Sequence, residues 1–221
     1  MSIECSDHCD DGSLDIDIHS TPTLRASNLS YCFSDKNAFS NLNFSLEGPG
    51  LVYVTGASGR GKSTLFNIIS RLYKNYGGSI KLNGIELRDI KSSCIHKCIG
   101  IVHQDDYVFK DTFLNNIKLY DDISDKEILN TIKEYNFADV VGDLNSNTFN
   151  AGQKKAISII RVLVRNPAII LLDEIAAGLD SYSEQIVMNA INIISKKKMC
   201  FIIEHKSSEN KHEKEISLDM K

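Results

Sequence analysis

Hydrophobic and polar positions in this chain alternate with two different periods, and the switches between them mark its elements. Between Leu24 and Val54, Asn28-Leu29-Ser30-Tyr31-Cys32-Phe33 and Leu42-Asn43-Phe44-Ser45-Leu46 carry the two-residue period of strands. Glu47-Gly48-Pro49-Gly50 reads as a turn into a strand over Leu51–Thr55, and Thr64–Ile69 then reads as a helix. Gly77-Gly78 opens another strand and turn over 79–84, which predicts a small antiparallel sheet beside the main core. Gly100–His103 reads as a short buried strand ending in Gln104. From about Leu114 to Val141 the period is helical, with Ser124-x-x-Glu127 as a capping box. Asn145–Gly152 is a polar break, and a further helix is predicted from Gln153 to Arg165, before Asn166-Pro167. Ala168–Leu172 and Met199–Ile203 are apolar runs of the kind that parallel strands buried on both faces require.

The strand over Leu51–Thr55 and the helix from Thr64 enclose Gly56-Ala57-Ser58-Gly59-Arg60-Gly61-Lys62-Ser63. Strand, glycine loop and helix in that order make the G-x-x-x-x-G-K-[ST] spacing a phosphate cradle. Gly56, Gly59 and Gly61 let the backbone bend and approach an anion, and the loop N–H groups then point inward at a helix N-terminus. Lys62 is expected to reach the β- and γ-phosphates and the Ser63 hydroxyl to sit on Mg²⁺, next to Thr64. A tight strand-to-helix turn that merely contains these residues is the alternative. Arg60 is read as an exposed side chain, with a direct phosphate contact as its alternative.

Asp173 and Glu174 close the run Ala168–Leu172, where open α/β sheets place their ligands. Asp173 is expected to hold Mg²⁺ through water and Glu174 to polarise the attacking water, the alternative being two solvated acids at a strand end. The run Met199–Ile203 would deliver Glu204 and His205 to the same edge.

The 221 residues suffice for one sizeable domain with a buried core. A net charge of −4, without a basic stripe, gives no reason to expect a nucleic-acid partner. No run approaches the roughly 18 apolar residues of a membrane span and no signal peptide opens the chain, so it is expected to be soluble and cytoplasmic. Residues 1–23 are acidic with little periodicity and read as a disordered arm, ending in a possible short strand at Leu14–Ile18. Cys5-x-x-His8-Cys9 and Cys94-x-His96-x-Cys98 resemble metal half-sites without a second half, and a structural or incidental role is expected of them.

These motifs together resemble the nucleotide-binding domain of ATP-binding cassette (ABC) proteins over residues 24–221, read as a single domain with a helical subdomain at about 105–165. The resemblance implies an α/β fold: a phosphate-loop NTPase (RecA-like) core with a small antiparallel β subdomain and an inserted helical subdomain. The family's phosphate loop matches Gly56–Ser63, its glutamine loop Gln104, its strand-end acids Asp173 and Glu174, its D-loop Ala177-Gly178-Leu179-Asp180 and its switch histidine His205. Phe33 stands where the family places an aromatic that stacks on adenine, core packing being the other use of such a ring. The segment from Gln104 to Ile117 is similar to the exporter branch. The resemblance implies ATP and Mg²⁺ as ligands, with metal contacts from Ser63, Gln104 and Asp173. Glu174, His205 and Gln104 would carry catalysis.

Three departures qualify the mechanism. The family signature LSGGQ, which caps the nucleotide of the opposite subunit, stands here as Phe149-Asn150-Ala151-Gly152-Gln153. Losing one or two charge-assisted hydrogen bonds of roughly 1.5–3 kcal/mol each would slow turnover about ten- to several-hundred-fold or more. The connection between Ile132 and Phe149 is shorter than in exporter relatives, and the closing strands after His205 are expected to be reduced to Glu215-Ile216-Ser217-Leu218. The resemblance thus implies an ATPase that dimerises with a second ABC domain, identical or different, and drives a separate transmembrane subunit from the cytoplasmic face of a membrane. A non-catalytic ABC regulator and a soluble non-transport ABC ATPase are the alternatives, and a small-molecule kinase would leave His205 unexplained.

Overall fold

The computed structural model describes residues 12–16, 21–33, 36–105, 107–119, 121–203 and 214–218. The alternating segments form β1 (Thr23–Phe33) and β2 (Lys36–Glu47), paired antiparallel with Leu24 opposite Leu46 and Ala26 opposite Phe44. Leu24, Ala26 and Leu29 face the core while Arg25, Ser27 and Asn28 face outward, with a register shift between Ala26 and Leu29 at the positive-φ residue Asn28. The chain continues through β3 (Gly50–Thr55), α1 (Lys62–Ile69), β4 (Gly77–Leu82), β5 (Ile85–Glu86), α2 (Ser92–Cys98) and β6 (Ile99–Val102). Then come α3 (Phe113–Lys118), α4 (Asp125–Glu134), α5 (Ala138–Val141) and α6 (Ala151–Leu163). The last elements are β7 (Ile169–Asp173), α7 (Ser181–Ser195), β8 (Met199–Ile203) and β9 (Glu215–Ser217).

Two sheets organise the described residues: an antiparallel one in the order β2-β1-β4-β5, and a parallel one in the order β6-β7-β8-β3-β9. The parallel sheet shows why its strands are continuously apolar. Alternate residues of β7 and β8 feed two cores. Ile169, Leu171, Met199, Phe201 and Ile203 join the core shared with α1 and the antiparallel sheet. Ile170, Leu172, Cys200 and Ile202 join the core under α3, α4, α6 and α7. Burial pushes the Cys200 thiol up to about 12. Both the mixed α/β class and the small antiparallel sheet are as expected from the pattern.

The helical stretch is divided more finely than its periodicity suggests. Leu119 ends α3 in a left-handed conformation, φ 49°, and Asn136 (φ 57°) separates α4 from α5. The Ser124–Glu127 capping box is formed. Helix α6 starts two residues before the expected Gln153, because the Asn150 carboxamide oxygen accepts from Gln153 N–H at 2.9 Å and the Gln153 side chain accepts from Asn150 N–H at 3.0 Å. Its end falls at Leu163 rather than Arg165, with Asn166 at φ 52° before Pro167.

The arm is docked where it is described. Leu14 N–H donates to the Asp89 carbonyl and Lys91 N–H to the Leu14 carbonyl, both at 2.9 Å, and Asp15 pairs with Lys91 at 2.7 Å. The expected short strand is an isolated bridge from Leu14 to Ile90, and its continuation at Asp17 and Ile18 lies outside the described residues, as do residues 1–11 with Cys5, His8 and Cys9. Cys98 is buried, while Cys94 is half-buried with its sulfur 3.4 Å from an Asp15 carboxylate oxygen. Glu215–Leu218 adds β9 to the sheet edge beside Tyr53–Thr55, with Ile216 and Leu218 buried.

Candidate nucleotide site

The parallel order of the sheet brings the carboxyl ends of β3 and β7 to one edge, with β8 between them. At the end of β3 the chain turns through Gly56–Gly61 into α1, with Gly61 capping the helix at φ +86°. A Cβ on Gly61 would lie 2.9 Å from Phe39 Cδ1 and 3.1 Å from Ala38 Cβ, whereas one on Gly59 (φ +76°) would meet nothing within 4 Å. Both positions resist substitution through their backbone, but only Gly61 also meets a packed neighbour. Gly61→Ala is therefore expected to destabilise by about 1–3 kcal/mol and Gly59→Ala by about 1 kcal/mol, compared by urea unfolding; equal losses would contradict the packing account.

Lys62 is buried, and its ammonium folds back over the loop to donate to the Gly56 carbonyl at 2.6 Å and the Ala57 carbonyl at 3.2 Å. Above it opens a cavity of about 350 Å³ lined by Ser58, Gly59, Gly61, Lys62, Ser63 and Thr64, together with Phe33, Ala38 and Glu174. Arg60 is exposed and outside this lining. The glycine-floored cradle, the buried cation and the exposed Ser63 hydroxyl fit a polyphosphate, and the Ser63 oxygen fits a hard divalent cation, while Asp173, the other expected metal ligand at this edge, is not among the residues that line the cavity.

Phe33 flanks the cavity, 45% exposed. Its ring stands edge-on to Tyr31 (4.9 Å, 71°) and to Tyr73 (5.9 Å, 84°), while Tyr31 and Tyr73 stack at 5.2 Å and 13°. Burial raises the Tyr31 hydroxyl pKa, and Tyr73 beside it adds to the rise. Sequence reasoning singled out neither tyrosine. The i, i+2 relation of Tyr31 and Phe33 on one strand was a usable signal; nothing local pointed to Tyr73.

The two acids sit differently. Asp173 is the last residue of β7, paired with Ile203 of β8, and its Oδ1 atom is buried. Glu174 lies beyond the strand in the left-handed region, φ 48°, held by its N–H on the Ile203 carbonyl at 3.2 Å and by Ala177 N–H on its own carbonyl at 3.1 Å. A non-glycine residue held there costs on the order of 1–3 kcal/mol. Glu174 is among the residues that line the phosphate-loop cavity.

Other expected residues lie elsewhere. Gln104 is exposed just past β6, and its carbonyl accepts from the Lys155 ammonium at 3.0 Å. Asn150 and Gln153 cap α6, and Ala151 is exposed in its first turn. Gly152 is buried against α7: a Cβ there would fall 2.6 Å from Ser183 Oγ. Asp180 caps α7, its carboxylate accepting from Ser183 N–H and Tyr182 N–H and from the Ser183 hydroxyl. The Ser183 N–H, then its hydroxyl, hold the Asp180 carboxyl below the usual range. None of Gln104, Asn150, Ala151, Gly152, Gln153 or Asp180 lines the phosphate-loop cavity, and His205 and Glu204 lie outside the described residues.

With this geometry in place, comparison with known proteins gives a consistent result. The ABC transporter family matches residues 39–177. The microcin-J25 export ATP-binding/permease protein McjD of Escherichia coli is 38% identical over 174 residues, covering 74% of this chain and 30% of that protein. A putative multidrug export ATP-binding/permease protein of Staphylococcus aureus is 32% identical over 201 residues, covering 85% of this chain and 35% of its own length. A solved bacterial Atm1-family ABC exporter with ATP bound superposes with a TM-score of 0.78 at 25% identity, over 89% of this chain and 36% of that one. The chain thus spans about a third of the length of these relatives. Its phosphate loop and strand-end acids fall within the matched span, and the chain belongs to the ABC transporter family as an exporter-like nucleotide-binding domain.

Proposed function

We propose that this chain binds ATP-Mg²⁺ in the phosphate-loop cavity, hydrolyses it, and uses the cycle to drive export through a transmembrane part. One observation carries the reading: Glu174 is held by a strained turn in the same cavity as Lys62 and Ser63. Loop N–H groups and Lys62 bind the phosphates, Ser63 and Asp173 hold the metal with Gln104, and Glu174 orients and polarises the attacking water. The metal, when bound, neutralises charge that develops on the phosphoryl oxygens. Phe33 stacks on adenine, and His205 contacts the γ-phosphate.

The residues left outside the cavity fit a head-to-tail dimer. The exposed N-terminus of α6, with Asn150 and Ala151, would face the nucleotide of a second ABC domain, and Asp180 would lie near the same junction. Asn150 spends its carbonyl oxygen on the helix cap, which leaves its amide N–H₂ as the donor toward phosphate. We propose that turnover is reduced for this reason. Asn150→Ser with Ala151→Gly is expected to raise steady-state ATPase activity at least about tenfold, the return of one charge-assisted hydrogen bond. Turnover near zero in both forms would favour a non-catalytic regulator, the reading that the altered signature otherwise supports.

Among the described residues no helix is long and apolar enough to cross a membrane. The membrane-spanning part is proposed as a separate subunit, engaged at the cytoplasmic face. The relatives named ATP-binding/permease suggest fusion as the alternative. Co-purification of the full chain with a membrane protein from detergent extracts tests the pairing, and ribosome or DNA capture in its place would point to a non-transport ATPase.

A further inference from the structure

Lys155 is the least exposed charged side chain among the described residues, 1% accessible, although it lies on a helix whose neighbouring positions Ala156, Ile157, Ile159 and Ile160 are apolar and buried. Taking an ammonium out of water is costly unless its protons are satisfied, and an apolar side chain of similar size fills such a position at lower cost. What the ammonium reaches is specific: its Nζ donates to the carbonyl of Gln104 at 3.0 Å and of His103 at 3.4 Å, just beyond β6. One and a half turns further along α6, the Arg161 guanidinium donates to the Tyr107 and Asn116 carbonyls. The helix thus grips the Gln104 segment from the side, while its other end carries the exposed Asn150–Ala151 cap.

We propose that Lys155 is a positioning residue that ties α6 to the Gln104 backbone, so that movement of the Asn150–Gln153 end of α6 against a second copy sets the Gln104 side chain in the metal-and-water site of its own chain. The inference rests on the proposed role of Gln104. A helix of 13 residues moves as a rod, and a backbone carbonyl bonded to it follows. The tie makes Gln104 placement, and not nucleotide affinity, depend on α6, because Lys155 lies outside the phosphate-loop cavity.

Steady-state ATPase assays of the full chain with Mg²⁺ titration, beside ATP binding in EDTA, test this. Lys155→Met is expected to lower kcat about 10- to 100-fold, the usual cost of a misplaced group, and to raise the half-saturating Mg²⁺ severalfold. ATP affinity in EDTA should stay unchanged. Lys155→Arg keeps a charged donor and is expected to return kcat to within about threefold of wild type. In a Gln104→Ala background Lys155→Met should cost nothing more. Wild-type kcat and Mg²⁺ dependence in Lys155→Met, or additive losses in the double variant, would overturn the tie. Should Lys155→Met not fold, Lys155→Gln, whose uncharged amide ends one bond short of the lysine nitrogen and so of the Gln104 carbonyl, takes its place, and wild-type Mg²⁺ dependence there overturns the tie equally. Wild-type turnover in Gln104→Ala would overturn the Gln104 reading itself, and the tie with it.

Discussion

Lys62→Ala is expected to weaken ATP binding by about 10²–10⁴-fold, the loss of two charge-assisted hydrogen bonds of roughly 1.5–3 kcal/mol each. The buried ammonium is already aimed along the cradle, bonded to the Gly56 and Ala57 carbonyls, so it needs only to exchange loop oxygens for phosphate oxygens when ligand arrives. The same geometry says that folding should suffer little. Ala57 is exposed and Gly56 half-buried, so water can replace the lost donor at a cost on the order of 1 kcal/mol. Calorimetric titration with ATP, alongside urea unfolding, separates the two effects. An unchanged dissociation constant would remove the basis for placing phosphate in this loop.

Glu174→Gln is expected to lower kcat by about 10²–10⁴-fold, the range for removal of a positioned base, with ATP-Mg²⁺ affinity held within a few-fold. Glutamine keeps the length and the backbone demand of the residue, so the strained conformation at φ 48° and its bond to Ile203 persist while the charge that polarises water is gone. Stalled before hydrolysis, the variant should accumulate as a dimer in ATP-Mg²⁺ and return to monomer when nucleotide is removed, followed by light scattering on a sizing column. A variant that hydrolyses like wild type would displace Glu174 from its role, and one that stays monomeric at saturating ATP would count against the paired site.

These two effects rest on residues whose importance is local. Gly56–Ser63 could be read without coordinates because a strand, a glycine loop and a helix N-terminus are adjacent in the chain, and the chemistry is mostly that of the backbone. The buried strand Ile169–Asp173 was readable for a similar reason: residues alternating between two cores must be apolar on both sides. The Ser124–Glu127 box was readable because its partners are three residues apart. The polar break expected over Asn145–Gly152 ends two residues earlier, at Asn150, because Ala151 and Gly152 already belong to α6. The four residues Asn150-Ala151-Gly152-Gln153 that resemble a phosphate-contacting loop also satisfy the rules for a helix cap, and the cap's hydrogen bonds, internal to the chain, start the helix at Ala151.

By itself, then, the sequence determined the strand-loop-helix unit, the parallel core and the identity of the acids that close β7, all consequences of short-range periodicity and spacing. Only the tertiary structure decided that β8 lies between β3 and β7, so that Glu174 and Lys62 share one cavity. It also decided that Tyr31 and Tyr73 brace Phe33, that Gly152 makes room for Ser183, and that Lys155 holds the Gln104 carbonyl. Each of these joins residues brought together by sheet order or helix packing, and no local pattern encodes which distant partner a side chain will meet.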